Sequence, residues 1–468
     1  MATERFDVFV VGGGGAGSEV AFSLGGRGDL RVAIAERDKL GGECNHYGCV
    51  PTKAMLASAR VAAAARDGER FGVRVQGLEI DFGAVMDRVR RIIASQSGEG
   101  PKPFEDRGVR VVMDEVRLVG EHYLEASDGT LFEADSIVLA TGSEATLPPV
   151  EGLADGPYWT NKEAIWAPTE VPSSLAVIGS GAVGIEFATI YRRFGAEVTV
   201  LETAPRIVPN EDPDVSEALQ EPLEAEGIRF LTGVEITKAS HSRGRWRLSL
   251  AGGDTVEAQE VLVAAGRRPT FGVHEMARAG IELDDRGRPL LGPTLRTTAE
   301  SIWACGDATG ELLFTHVGDY EAGLVVADIL GAKRVRDYRI VPRVTFCEPE
   351  VASVGLTEPE AREAGYDIHV AMARFDDNER AVIEGRPAGL VKLVSDTRTG
   401  ELLGGHLVGD HAGEMIHEVA AAMAGHVTAA DLGTTIHAYP TLSESLRWVF
   451  RELAGMEEHH RVESIAPD

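Results

Sequence analysis

Two cysteines separated by four residues, Cys44 and Cys49 in GGECNHYGCVPTKAMLASARVAAAAR, carry the most reactive chemistry in this sequence. The spacing is not the C-x-x-C of a zinc knuckle. Cys49 stands just before Pro51, a residue type suited to the first turn of a helix. A thiolate placed there gains from the helix dipole, so its pKa falls and its reactivity rises. Lys53 follows within the next turn, a cation able to support the thiolate or a reduced cofactor. Only 4 cysteines occur in 468 residues, too few for a disulfide framework, so a pair among them reads as redox-active. His46, between the two sulfurs, is a candidate proton acceptor. Cys305 and Cys347 read as core residues, because free cysteine is commonly buried. His411, Glu414 and His417 recur every third residue on a predicted helix and read as a solvated face rather than a metal site. Near the C-terminus, IHAYPTLSESLRWVF gathers His437, Tyr439 and Glu444 within eight residues. Thr441-Leu-Ser-Glu444 fits a capping box behind the turn at Pro440, which predicts a helix start at Thr441.

The elements that must position such groups are visible on either side of the cysteines. FDVFVVGGGGAGSEVAFSL reads as an apolar strand, a glycine turn and a helix, with Gly12, Gly14 and Gly17 at G-x-G-x-x-G spacing. The first glycine permits the tight turn, the second lets backbone approach a pyrophosphate, and the third packs helix on strand. The helix N-terminus supplies N–H groups to the phosphates. A second strand, RVAIAE, ends in Glu36, where a carboxylate meets a ribose hydroxyl. The construction recurs in SLAVIGSGAVGIEFATIYRRFGAEVTVLE, with Gly179, Gly181, Gly184 and Glu202. Two complete units imply two dinucleotides. Glu202 would repel a 2′-phosphate, which favours NADH, while the nearby Arg206 keeps NADPH possible.

Bulk properties narrow the partners. The length suits about three domains. A net charge of −28 repels nucleic acid and anionic membrane surfaces, so neither is expected as a partner. The acidic start MATERFDVFVV is unlike a signal peptide, and no apolar run reaches the length of a membrane span. A soluble, cytoplasmic protein is expected.

With both cysteines and both glycine loops in place, the sequence resembles the class I pyridine nucleotide–disulfide oxidoreductases, the family of dihydrolipoyl dehydrogenase, glutathione reductase and mercuric reductase. GGECNHYGCVPTK has the family's C-x4-C spacing. ADSIVLATGSEATLPP, with Thr141 and Gly142, resembles the turn closing the first part of the FAD domain. VLVAAGRRP, with Gly266 and Arg267, resembles the segment near the nicotinamide nucleotide. SIWACGDATG resembles the second flavin motif, in which Asp307 would bond the ribityl chain. Glu186 in GAVGIEFA matches the glutamate that pairs with the lysine here numbered Lys53. VPRVTFCEPEVASVGLTEPEA resembles the opening of a dimerisation domain.

The resemblance implies an α/β chain with two Rossmann-like dinucleotide-binding domains, for FAD and NAD, and a C-terminal α+β dimerisation domain. The FAD domain would take residues 1–150 and 273–340, the NAD(P)H domain 151–272 and the dimerisation domain 341–468. It also implies a relay: NADH reduces FAD on one face, and the electron pair opens a Cys44–Cys49 disulfide on the other. Cys49 would remain against the flavin as a charge-transfer thiolate, while Cys44 attacks a substrate disulfide. A histidine from the partner subunit, oriented by a glutamate, would protonate the leaving thiolate, so the site is completed only in a homodimer.

At that histidine position this sequence has Tyr439, with Glu444 as the orienting glutamate and His437 matching an earlier, non-catalytic histidine. A phenol with pKa about 10 does not shuttle protons at neutral pH as an imidazole near about 6.5 does, and a lost acid–base group costs roughly 10²–10⁴-fold in rate. Mercuric reductases share the tyrosine, yet the tail EEHHRVESIAPD has no cysteine pair like theirs and no metal-binding domain is expected before Met1, so full mercuric reductase activity is not expected. Three readings follow: a flavin reductase passing electrons to a metal ion, quinone or unusual disulfide; a dihydrolipoyl dehydrogenase using His46 or His437 as base; and a non-enzymatic, FAD-holding redox sensor.

Overall fold

The computed structural model describes residues 3–96 and 100–456. The tail read above as lacking a cysteine pair lies outside them. The first glycine loop leaves a seven-stranded sheet. Its central strand, Glu4–Val11, runs parallel to Val32–Ala35 on one side and Leu131–Leu139 on the other. Its second half is buried on both faces, which is why it reads as a continuous apolar run instead of an alternating one. The sheet also receives a strand from far along the chain: Ile302–Ala304 pairs in parallel with Leu131–Leu139.

Between these two visits the chain builds a second, four-stranded parallel sheet, in the order Ile228–Leu231, Glu197–Leu201, Ser174–Ile178, Glu260–Val263. The chain leaves and re-enters the first unit through a two-stranded ribbon, Ser143–Ala145 against Arg267–Pro269. A five-stranded antiparallel sheet, from Arg343–Thr345 to Leu402–Gly409, forms the C-terminal unit.

The helix Ala182–Phe194 holds these units together. Ile185, Phe187, Ile190 and Tyr191 are buried, in one apolar cluster with Met55 and Ala59 of the helix Cys49–Asp67 and with Val351 and Val408 of the C-terminal sheet. Each such side chain stabilises the fold by about 1.5–3 kcal/mol. The same helix buries two charges, Glu186 and Arg193, and both are paired, as burial requires. Among the described residues no helix is long and apolar enough to cross a membrane.

Candidate active site

The two glycine loops are built alike. Gly12 has φ +109° and a Cβ there would lie 2.2 Å from the Ala140 carbonyl oxygen; Gly179 has φ +104° and would meet the Ala264 oxygen at 2.4 Å. A Cβ on Gly17 or Gly184 would collide with the first glycine's own carbonyl, at 1.9 Å and 2.1 Å. The middle glycines, Gly14 and Gly181, face open space at the N-termini of Gly15–Gly25 and Ala182–Phe194. Each loop thus leaves an anion-sized approach to free helix N–H groups.

The carboxylates closing the second strands brace these loops. Glu36 accepts from the N–H groups of Gly13 and Asp38, both at 2.8 Å. Glu202 accepts from the Ser180 N–H and hydroxyl at 2.8 and 2.7 Å and from the Ala204 N–H at 2.8 Å. Burial opposes its charge, but these donors outweigh it and hold the pKa below the ordinary value. Arg206 donates through Nη2 to the backbone carbonyls of Pro209 and Glu211, while its Nε is buried without a partner.

At the first loop's far wall, the Thr141 hydroxyl is buried with no hydrogen-bond partner, beside Gly142 at φ +74°. Asp307, in the 3-10 turn Gly306–Thr309, accepts from the Ser143 hydroxyl at 2.5 Å. An orphaned hydroxyl, a glycine cradle and a carboxylate on one rim fit a flavin dinucleotide: Gly14 and the helix N-terminus would take its pyrophosphate, Glu36 its ribose, and Thr141 and Asp307 its flavin end. The Arg267 guanidinium donates to Ser143 and Asn161 and pairs with Glu43 at 3.2 Å, so it bridges the cysteine loop and the Asp307 turn. Gly266 beside it takes φ +118° at the turn into the ribbon.

Cys44 lies on the one-turn helix Gly42–His46, and Cys49 is the first residue of Cys49–Asp67, where the sequence placed it. The Cys49 sulfur is 3.6 Å from the Thr315 hydroxyl, 266 positions away. A hydrogen bond from the Cys44 thiol is the largest influence on Cys49. Together with Thr315 and the Lys53 charge it overcomes burial and pulls the pKa down to about 6. The same bond and burial push Cys44 up. The surroundings thus favour the thiolate at Cys49 and the thiol at Cys44. Lys53 pairs with Glu186 at 2.7 Å and lies over the Phe346 ring, whose backbone N–H also donates to Glu186. Cys305 and Cys347 are buried, as read, and His411, Glu414 and His417 are exposed.

In the C-terminal segment the structure revises the capping box. The helix is Glu444–Leu453 with Ser443 at its N-cap; Glu444 reaches back to the Thr441 N–H at 3.3 Å, but the Thr441 hydroxyl donates to Ala438. Half the box forms, because the intervening residues turn before the helix begins. Tyr439 is 71% exposed. His437 is enclosed, with Nδ1 on the Thr435 carbonyl at 3.1 Å and Nε2 on Glu418 at 2.9 Å. The hydrogen bond to Glu418 raises its pKa against the opposing effect of burial. His46 is buried, with its Nε2–H on the Leu40 carbonyl. Among the described residues, no hydrogen bond or ion pair of His437, Tyr439 or Glu444 reaches the cysteine loop of the same chain.

The family model for pyridine nucleotide–disulphide oxidoreductases matches residues 6–322, and the model for their dimerisation domain matches 341–450. The chain belongs to the pyridine nucleotide–disulfide oxidoreductase family. Its relatives in this family include the dihydrolipoyl dehydrogenase of Mycobacterium tuberculosis, 34% identical over 463 residues, 96% of this chain and 98% of the relative. That of Chlorobaculum parvum is 37% identical over 457 residues, 95% and 96% of the two chains. Similar solved structures include the Cu(II) complex of the HOCl-induced flavoprotein disulfide reductase RclA from Escherichia coli, with TM-score 0.85 and 27% identity over 95% of this chain and 99% of the other. LpdA from Mycobacterium tuberculosis gives TM-score 0.86 and 26% identity over 96% and 100%. The protein is thus a FAD-dependent pyridine nucleotide–disulfide oxidoreductase that uses FAD and NAD(H) and carries the family's dimerisation domain. When bound, FAD supplies the two-electron relay between the nicotinamide and a thiol pair.

Three contributors had no short-range signal: Thr315, Ser143 and Asn161 reach the site only through the fold. Glu43, next to Cys44, was readable as an acid but its partners were not.

Proposed function

We propose that this oxidoreductase takes an electron pair from NADH into the Cys44–Cys49 pair and delivers it to an acceptor that needs no positioned imidazole, a metal ion or quinone. The observation that carries this reading is the state of the three candidate proton shuttles. Tyr439 puts a phenol where the resemblance expects an imidazole, His437 has both ring nitrogens engaged, and His46 is buried against a carbonyl. The reading that places the base on either histidine therefore loses support. The Cu(II) complex of RclA, similar in fold, is consistent with a metal acceptor.

In this reading Cys49 holds the thiolate beside the cofactor, Cys44 contacts the acceptor, and Lys53 with Glu186 fixes the charge behind Cys49. Glu202 selects NADH, since its carboxylate would repel a 2′-phosphate, and the Arg206 Nη2 is held by backbone carbonyls. The segment bearing Tyr439 and Glu444 walls the site of a partner subunit in a cytoplasmic homodimer, with functional units at 1–150, 151–272, 273–340 and 341–468. For Cu(II) the balance is one NADH and two Cu(II) giving NAD⁺, two Cu(I) and a proton. For a disulfide it is NADH, a proton and the disulfide giving NAD⁺ and two thiols.

NADH oxidation with Cu(II), Hg(II), quinones, lipoamide and glutathione disulfide, on this protein and on Tyr439→His, tests the assignment. Fast metal or quinone reduction is expected, with disulfide turnover slow and raised at least tenfold by Tyr439→His. The dihydrolipoyl dehydrogenase reading has one observation in its favour, the names of the relatives at 34–37% identity. Fast lipoamide turnover that Tyr439→His leaves unchanged would establish it instead.

A further inference from the structure

The helix Gly42–His46 that carries Cys44 has five residues, too few to hold a helical conformation unaided. Gly41 precedes it and Gly48 follows one residue beyond its C-cap, and Gly41 and Gly42 have positive φ. Cys49, by contrast, opens a 19-residue helix whose Met55 and Ala59 sit in the core. One sulfur is fixed by packing, whereas the other is placed by whatever grips its short helix.

That grip comes largely from the six-residue helix Asn161–Trp166. The Asn161 amide donates to the Glu43 carboxylate at 2.7 Å and to the Tyr47 carbonyl at 2.6 Å, and the side chain is buried. Lys162 pairs with the other Glu43 oxygen at 3.4 Å and lies over the Tyr47 ring. The Trp166 indole N–H donates to the His46 carbonyl at 3.0 Å. Arg267, at the opposite crossing of the chain, pairs with Glu43 and donates to Asn161. The gripping helix is itself fixed. A capping box of Thr160 and Glu163 starts it, Trp159 pairs with Val261 and Val263 of the second parallel sheet, and the Tyr191 hydroxyl donates to the Ala164 carbonyl.

We propose that Asn161 and Trp166 are positioning residues that hold the Cys44 helix against Cys49 and so set how readily the two thiols close to a disulfide. This rests on the reading of Cys44 and Cys49 as the redox pair. Closure is intramolecular, so its equilibrium scales with the effective concentration of one thiol at the other, and that concentration is high only while the short helix is held. Loosening the grip favours the dithiol. The step balances as two protein thiols and one glutathione disulfide giving the protein disulfide and two glutathiones.

The test uses the full-length, FAD-loaded protein equilibrated without oxygen in glutathione buffers of graded ratio. Thiols are trapped by alkylation and counted by mass at Cys44 and Cys49. Wild type is expected to close as one two-electron couple. Trp166→Phe keeps the aromatic volume and removes only the donor, while Asn161→Ala removes both amide bonds. Each is expected to shift the closure constant three- to tenfold toward the dithiol, tenfold being about 30 mV for two electrons. A helix serving only the stability of the fold would lower Tm in both variants and leave the closure constant unmoved; that result overturns the proposal while the redox pair stands. If wild type closes at no ratio, the redox-pair reading fails first, and the positioning role with it.

Discussion

A thiolate at Cys49 depends on three neighbours: the Cys44 thiol, the Thr315 hydroxyl and the Lys53 charge. Because these lower its pKa toward about 6, the anion is populated above that pH and lost as pH falls through it. We expect the alkylation rate of Cys49 in the NADH-reduced protein to fall severalfold between pH 7 and pH 5, with Thr315→Val moving the midpoint upward. A rate that keeps falling from pH 9 would show an ordinary thiol. Coenzyme choice also lies at a single residue. Glu202→Ala is expected to improve the NADPH:NADH ratio of kcat/KM by at least tenfold, about 1.4 kcal/mol, as the carboxylate facing a 2′-phosphate is removed. An unchanged ratio would place discrimination elsewhere.

At the scale of elements, the helices Cys49–Asp67 and Ala182–Phe194 meet through Lys53 and Glu186. Glu186 is buried and Lys53 about one-third exposed, so Lys53→Met leaves an unpaired buried carboxylate at a cost of about 1–3 kcal/mol. Thermal unfolding should show the loss, and the double variant Lys53→Met, Glu186→Leu should recover part of it. What the sequence disclosed follows the same division between local and distant. Gly12 and Gly179 take the left-handed turns their spacing demands, because glycine geometry is decided within a few residues. Thr160 and Glu163 form a capping box as local as that one, and it was there to be read. The box legible at Thr441 and Glu444 forms only by half, since the threonine hydroxyl turns back to Ala438. The meeting of Cys49 with Thr315, or of Glu43 with Asn161, is made by chain crossings, and no local spacing encodes it. The contact of Arg267 with Glu43 is of the same kind: its ribbon pairs with Ser143–Ala145, which brings the guanidinium to the cysteine loop.

Across the whole molecule, the helix Pro213–Ala225 and the C-terminal sheet are joined by a buried cation. Lys392 contacts Asp212 at 2.9 Å, Asp214 at 2.5 Å and Glu358 at 2.8 Å, and its neighbours raise its pKa. Burial opposes the charge on Asp212, but Lys392 and the Glu358 N–H outweigh it and lower its pKa. A lowered carboxylate contributes stability that is complete above its unfolded pKa, near about 4, and is lost as pH falls through the folded value. Lys392→Met should therefore cost about 3–5 kcal/mol at pH 7, seen as a lower Tm, and the difference from wild type should narrow under acid.

The most direct measurement on the central reading is an anaerobic titration of the FAD-loaded protein with NADH, with thiols alkylated and mapped by mass at each step. Delivery of the electron pair to the cysteines predicts two new alkylation sites, Cys44 and Cys49 together, alongside a long-wavelength absorbance band that Cys49→Ser abolishes. Flavin bleaching by NADH with Cys44 and Cys49 unchanged, and no band, would contradict it.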